Sequence, residues 1–339
     1  TYDETAGTLT VDGAGAHIGL AKVYNLGELS NPANAPASIE YIVADLTAST
    51  MTLDIEIRTG NGGVGWWRFE LVKAGAGSTD GSSSSNSGSN TTGGGSATAK
   101  AINTDKWFHQ TRLPNGWGWY NGEIQHYTNR MENAYVSNGS LKIVAKKETF
   151  TDQGHTKQYT SARLNSKYAF QYGRVEVRAK LPTGAGTWPA IWTLGKNISE
   201  NGAYWQTQGY GTTGWPYCGE IDIMEHWGHN QNYVQSAMHT PSSHGGTVNH
   251  GGQHISTATS KFHVYEMDWN SERIIFSVDG VEHYRYDPAV KDSSTWPYDA
   301  EQYLLLNIAI EPTIASSFNQ SEMEIDYVRV YANGAGPSD

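Results

Sequence analysis

The chain lacks most of what would staple a fold covalently or carry it through a membrane. Cys218 is the only cysteine among 339 residues, so no internal disulfide framework exists. It stands two residues before Glu220, but no Cys-His-Asn arrangement accompanies it, and it reads as a small buried filler rather than a nucleophile. No apolar run approaches the roughly 20 residues of a membrane span, and no signal peptide is present. The chain also begins without an initiator methionine, which reads as a processed or trimmed chain, so the missing leader does not argue against export. Positive charge is scarce: 23 Lys and Arg against 34 Asp and Glu leave a net charge of −11. A nucleic-acid partner would want a basic face, and a sulfated polymer would be repelled. Helical periodicity is missing too, and without intervening amphipathic helices a parallel α/β architecture has nothing to cover its sheet.

Present instead are 12 Trp, 20 Tyr and 38 Gly, a composition that suits strands, turns and a stacking surface. Short alternating runs at 8–11, 18–23, 38–44, 51–57 and 64–72 predict a small β domain over residues 1–73. Within it Trp66 and Trp67 read as sheet core more readily than as a sugar platform, since period 2 sends them to opposite faces. Residues 74–99 are almost wholly Gly, Ser, Thr, Asn and Ala and predict a flexible linker. Beyond it, runs at 141–145, 174–180, 263–269, 274–278, 303–310 and 323–331 predict strands of one larger domain, 100–333, followed by a tail, 334–339. Two antiparallel sheets packed face to face are the natural all-β solution, a β-sandwich.

One stretch organises the larger domain: Gly219-Glu220-Ile221-Asp222-Ile223-Met224-Glu225-His226. In a regular strand Glu220 and Asp222 share a face and Glu225 falls on the other. A β-bulge would return Glu225 to their side and gather three acids within about 10–15 Å, at about 3.3 Å rise per residue. Such crowding repels and weakens a fold that gains nothing from it. Retaining cleavage of a glycosidic bond does need it, with two carboxyls about 5–5.5 Å apart. Ile221, Ile223, Trp215 and Trp227 surround the acids, where a merely solvated acidic edge would keep Lys, Ser and Thr.

Gly-Glu-Ile-Asp-Ile-Met-Glu resembles the signature of glycoside hydrolase family 16, in the form with the extra bulge residue. That form is similar to laminarinases (endo-1,3-β-glucanases), agarases and carrageenases, while the lichenase branch lacks the extra residue. The resemblance covers roughly residues 103–333. Tyr159-Thr160-Ser161-Ala162-Arg163-Leu164, the run from Tyr172 to Lys180 and the run from Trp188 to Gly195 resemble the laminarinase branch. Ile325-Asp326-Tyr327-Val328-Arg329-Val330-Tyr331 resembles the family's closing strand. One departure stands out: the acidic-aromatic opening strand of relatives has no counterpart before Asp105-Lys106-Trp107, unless the 66–72 strand stands in for it.

The resemblance implies a jelly-roll catalytic domain whose concave sheet forms the substrate cleft. It implies Glu220 as nucleophile, Glu225 as general acid/base and Asp222 as helper between them. Trp192 and Trp215 are the expected stacking platforms, with Trp188 on the same face four residues from Trp192. Asn121, Glu123 and Arg163 stand where the family places polar groups that hold the sugar, and His239 is expected to line the cleft beside the acids. Catalysis requires no cofactor. A structural calcium in relatives sits on the convex sheet and would use Asp326 with main-chain carbonyls, a site that draws on the absent opening strand. His244, His250 and His254 read as a mobile glycine-rich loop over one end of the cleft rather than a zinc site, their spacing being loose. The expected protein is a secreted or cell-surface monomer, without a membrane span or nucleic-acid partner, that cuts 1,3-β-glucan (laminarin-type, with mixed-linkage glucan as a further substrate) by double displacement. An agarase- or carrageenase-like galactanase and a non-hydrolytic carbohydrate-binding module are the alternatives.

Overall fold

The computed structural model describes residues 99–332 and, before them, a set of strands. The chain divides into two compact units, 1–93 and 94–339. In the first, β1 (Tyr2–Asp3), β2 (Thr8–Asp12), β5 (Ser38–Leu46), β6 (Thr50–Arg58) and β7 (Val64–Val72) form a five-stranded antiparallel sheet in the order β1-β2-β5-β6-β7. A separate hairpin joins β3 (Val23–Tyr24) and β4 (Gly27–Glu28). β7 pairs with β6 along its whole length and forms an edge of this sheet. Residues 18–22, the stretch 74–98 of the expected linker and the tail 334–339 lie outside the described residues, as do the side chains of Trp66 and Trp67.

The second unit is a sandwich. Its sheets are built from β8 (Trp107–His109), β9 (His126–Tyr127), β10 (Ala134–Ser137), β11 (Ser140–Asp152), β12 (His155–Ser161) and β13 (Arg163–Phe170). There follow β14 (Gly173–Lys180), β15 (Thr187–Gly195), β16 (Glu220–Glu225), β17 (Tyr233–His239) and β18 (His250–His254). The last are β19 (His263–Trp269), β20 (Ile274–Val278), β21 (Val281–Tyr286), β22 (Gln302–Ile310) and β23 (Gln320–Ala332). One sheet has nine strands, ordered β21-β20-β19-β14-β23-β11-β12-β9 with β10 beside β11. The other has seven, ordered β18-β17-β16-β15-β22-β13-β8. Pairing is antiparallel throughout these two sheets except between β9 and β12.

The alternation of β14 shows why this layer forms. Val175, Val177 and Ala179 point into the sandwich, while Arg174, Glu176, Arg178 and Lys180 face outward. There Arg174 meets Glu176, Glu266 and Asp268, and Lys180 meets Glu324. The exposed pair Arg174–Asp268 is of a kind that contributes about 0–1 kcal/mol, so burial of the inner face carries the stability. The core between the sheets takes Ile221, Ile223 and Met224 from β16, Leu304, Leu306 and Ile308 from β22, and Met267, Met323 and Ile325 from the nine-stranded sheet. All nine residues of β22 are buried, because the segment after β15 folds over its other face. Ile198, Ala203 and Cys218 cover Leu194, Tyr303 and Leu305 there.

His250–His254 corrects one expectation. Instead of a mobile loop it is β18, an edge strand paired to β17 through Gly251↔Ser236 and Gly252↔Gln235. A Cβ at Gly251 would lie 2.8 Å from the Tyr284 ring, and one at Gly252 would meet the Val234 carbonyl at 2.3 Å. The glycines therefore serve close packing rather than mobility.

Candidate active site

The bulge expected among the three acids is present in β16. Across β15 the register runs Ala190↔Glu225, Ile191↔Met224 and then Trp192↔Asp222, so Ile223 has no partner. Across β17 it runs Asp222↔Ala237 and Glu225↔Gln235, leaving Ser236 opposite both Ile223 and Met224. Ile223 and Met224 consequently both enter the core, and the extra step brings Glu225 back to the face of Glu220 and Asp222. All three acids line one cavity of about 330 Å³ together with Trp188, Trp192 and Trp215.

The entry to β16 is set by Gly219. Its φ of +75° is the left-handed region, and an added Cβ would sit 2.9 Å from the Tyr298 ring. The Tyr298 hydroxyl reaches the main-chain oxygens of Glu220 at 3.1 Å and His239 at 3.0 Å, tying the first acid to its cross-strand partner.

Each glutamate is held by an indole. Trp215 Nε1 donates to Glu220 Oε2 at 2.9 Å, and Trp188 Nε1 donates to Glu225 Oε1 at 3.0 Å. His239 Nε2 approaches Asp222 Oδ2 to 3.1 Å and Glu220 Oε1 to 3.5 Å. Its other nitrogen, Nδ1, accepts the Gly245 N–H at 3.1 Å, so in the neutral ring the proton sits on Nε2, facing the acids. Burial raises the carboxyls of Glu220 and Asp222 above the usual range, and the Asp222 charge adds to the rise at Glu220. Glu225 is pushed up to about 8, by burial first and then by the Asp222 charge, against which His239 and the Trp188 hydrogen bond act.

One oxygen each of Glu220 and Asp222 and a ring nitrogen of His239 lie within 4.8 Å of one another. A metal at Nε2 would need that lone pair free and the proton on Nδ1, where the Gly245 N–H already points. The trio is suited to sharing protons rather than to holding a metal. Asp326 does not fit calcium either. Its Oδ2 accepts from Arg178, and the neighbouring Glu324 pairs with Lys180, so cations of the chain itself already occupy this face. His244, His250 and His254 are not gathered into a ligand cluster among the described residues; the His244 ring instead meets Trp215 edge-on at 5.2 Å.

The expected binding residues fall into two groups. Trp188, Trp192, Trp215 and Asn121 present surface to the cavity, with Trp215 43% exposed and Trp188 stacked on Trp227 at 5.9 Å. Asn121 takes φ of 55° in the turn Tyr120–Gly122, a conformation its short polar side chain tolerates. Arg163 and Glu123 also line the cavity, with their polar ends tied to other side chains. Arg163 is 3% exposed, with Nε on Gln110 and Nη2 on both oxygens of Glu200, and its guanidinium lies 4.7 Å from the Trp192 ring. Glu123 accepts from Gln125 and Tyr127, and burial raises its carboxyl. Two residues of the site were not expected from sequence. Asn307 accepts from Trp192 Nε1 at 2.7 Å and donates to Tyr127 at 3.1 Å, and Glu200 closes the Arg163 pair. A lone Asn inside Leu304-Leu305-Leu306-Asn307-Ile308 was the available signal for the first; nothing in its loop marked the second.

A β-sandwich with three carboxyls and a row of indoles on one face of a sheet is the build of an enzyme that cuts sugar polymers. The chain belongs to the glycosyl hydrolases family 16, whose model matches residues 121–329, and it is a glycoside hydrolase, a chemistry that runs without a cofactor. A Z. galactanivorans protein solved in complex with laminaritriose and laminaritetraose superposes with a TM-score of 0.63 at 45% identity, covering 69% of this chain and 95% of that one. The beta-glucanase of Rhodothermus marinus is 38% identical over 244 residues, 67% of this chain and 79% of that protein. The glucan endo-1,3-beta-glucosidase A1 of Niallia circulans is 34% identical over 256 residues, 68% of this chain but 36% of that protein.

Proposed function

We propose that this protein hydrolyses 1,3-β-glucan internally and with retention, with Glu220 as nucleophile and Glu225 as acid/base. The observation that carries the reading is the bulge at Ile223, which sets Glu220, Asp222 and Glu225 along one cavity walled by tryptophans. In the first step a Glu220 oxygen attacks the anomeric carbon, the glycosidic C–O bond breaks, and Glu225 gives its proton to the leaving oxygen. In the second, Glu225 takes a proton from water as that water attacks the anomeric carbon and the Glu220 ester bond breaks. Burial and the Asp222 charge raise both glutamates, and His239 with one indole N–H each opposes this; the proposed roles take Glu220 as the ionised partner and Glu225 as the one that holds the proton. Trp192 and Trp215 offer ring faces to the sugar C–H groups, and Trp188, Asn121 and Glu123 complete the binding wall, while His239 stands beside Glu220 and Asp222. Arg163 acts beneath Trp192 rather than on the sugar. We place the enzyme outside the cell or at its surface, acting as a monomer; among the described residues no helix is long and apolar enough to cross a membrane.

The test separates the two glutamates. Glu225→Ala should still release an activated aryl group but stall at the glycosyl-enzyme, and azide should rescue it with a β-glycosyl azide. Glu220→Ala should yield, if anything, the α-azide. NMR of the anomeric centre reads the result, and opposite azides would exchange the two roles. On polymers, laminarin should be cut faster than mixed-linkage glucan, with agarose and cellulose untouched; faster release of reducing sugar from agarose would sink the glucan reading.

A further inference from the structure

A bulge takes one carbonyl out of the ladder, and a buried carbonyl without a partner is costly. Ile223 solves this through a side chain: Ser236 Oγ donates to the Ile223 carbonyl at 2.7 Å. Ser236 is wholly buried and is the single residue of β17 facing the two bulge residues. A serine hydroxyl has one proton, and Ile223 takes it. The 2.8 Å contact between Ser236 Oγ and His283 Nε2 therefore needs the histidine as donor. His283 Nδ1 is then left to accept from Gln253 Nε2, 3.3 Å away. Burial holds the ring down to about 4, so it stays neutral in this tautomer at working pH. Gln253 is on β18 and His283 on β21, where the edges of the two sheets meet.

We infer that Ser236 and His283 are positioning residues for the acid/base glutamate: the directed chain Gln253→His283→Ser236→Ile223 holds the bulge closed and so sets Glu225 against Trp188. Neither side chain is among those lining the catalytic cavity. The inference rests on the role proposed for Glu225. A serine that only satisfied a buried carbonyl would, when lost, lower the amount of folded enzyme and reduce every reaction alike. A serine that places Glu225 would, when lost, injure the steps in which Glu225 gives or takes a proton, and would spare the first step on a substrate whose leaving group needs none.

The experiment compares laminarin with a 2,4-dinitrophenyl β-laminaribioside, whose leaving group needs no proton, in the full-length chain. Ser236→Ala should lower kcat on laminarin about ten- to a hundredfold, the effect of misplacing a reacting group by about 1 Å, with KM changed less than about twofold. The first-turnover burst of dinitrophenol should stay near the wild-type rate. His283→Leu should repeat this pattern. His283→Gln, whose Nε2 can still donate to Ser236, and Ser236→Thr should restore most of the laminarin rate. An equal fall in laminarin kcat and in the first-turnover burst, or no fall in either, would overturn the inference. So would failure of His283→Gln to improve on His283→Leu. Glu225→Ala serves as the control that tells the two claims apart. If it lacks the leaving-group pattern, the acid/base assignment fails and this inference with it; if it shows the pattern and Ser236→Ala does not, only the inference fails.

Discussion

At the scale of the residue, Glu225 is raised first by burial and is then tuned by neighbours that pull in opposite directions. The negative charge of Asp222 raises its pKa further, and His239 and the Trp188 hydrogen bond lower it, around a value of about 8. Glu225 must hold its proton to act as acid, so kcat/KM on laminarin should fall as pH rises through that value. Asp222→Asn removes the repelling charge, makes Glu225 easier to ionise and should move the basic limb to lower pH by about half a unit to one unit. Trp188→Phe removes a donor that favours the carboxylate and should move the same limb upward. The rate itself should drop in both without vanishing. Limbs that moved the same way in the two variants would show that the limb belongs to another group.

At the scale of the element, the outer strands were the legible ones. The runs at 174–180, 263–269 and 274–278 alternate because one face meets the core and the other meets water. The strand β22 was legible for a different reason: both faces are covered, and from Tyr303 to Ile310 it reads as an apolar run broken only by Asn307. Less legible were β13 and β17, whose inward residues include Arg163, Asn165, Ser166 and Ser236, buried polar groups whose partners lie far off in sequence. The bulge was legible only through its acids, since a strand carrying Ile-Met where alternation wants one residue needs a reason to do so. Arg163 and Glu200 show what sequence could not supply, because their pairing spans 37 positions and ends under Trp192. Both are nearly wholly buried, so Glu200→Ala would strand a guanidinium without its counter-charge. It should cost about 3–5 kcal/mol in urea unfolding, against far less for the double replacement of both partners by apolar residues. A loss under 1 kcal/mol would mean that water reaches Arg163 after all.

At the scale of the whole molecule, the sandwich is a unit of its own, and the five-stranded sheet before it forms another. Removing residues 1–93 should leave melting and laminarin hydrolysis of the remainder within about twofold of the full chain, as expected of domains that fold alone. Loss of all activity in that truncation would show that the first unit completes the second. The single thiol offers a way to watch the larger unit move. Cys218 is fully buried on the inner side of the segment that crosses β22, its ionisation pushed up by burial beside Leu194, Tyr303 and Leu305. A disulfide reagent in solution should find nothing to react with until that segment lifts, so its rate becomes a clock for one local opening two residues upstream of Glu220. Run across low urea concentrations, the clock should tick well before the circular-dichroism transition, and laminari-oligosaccharides in the cleft should slow it. Stoichiometric labelling within seconds in plain buffer would place the thiol in an open path. With no second cysteine to confuse the signal, a native side chain becomes a probe of how often the floor of the cleft comes apart.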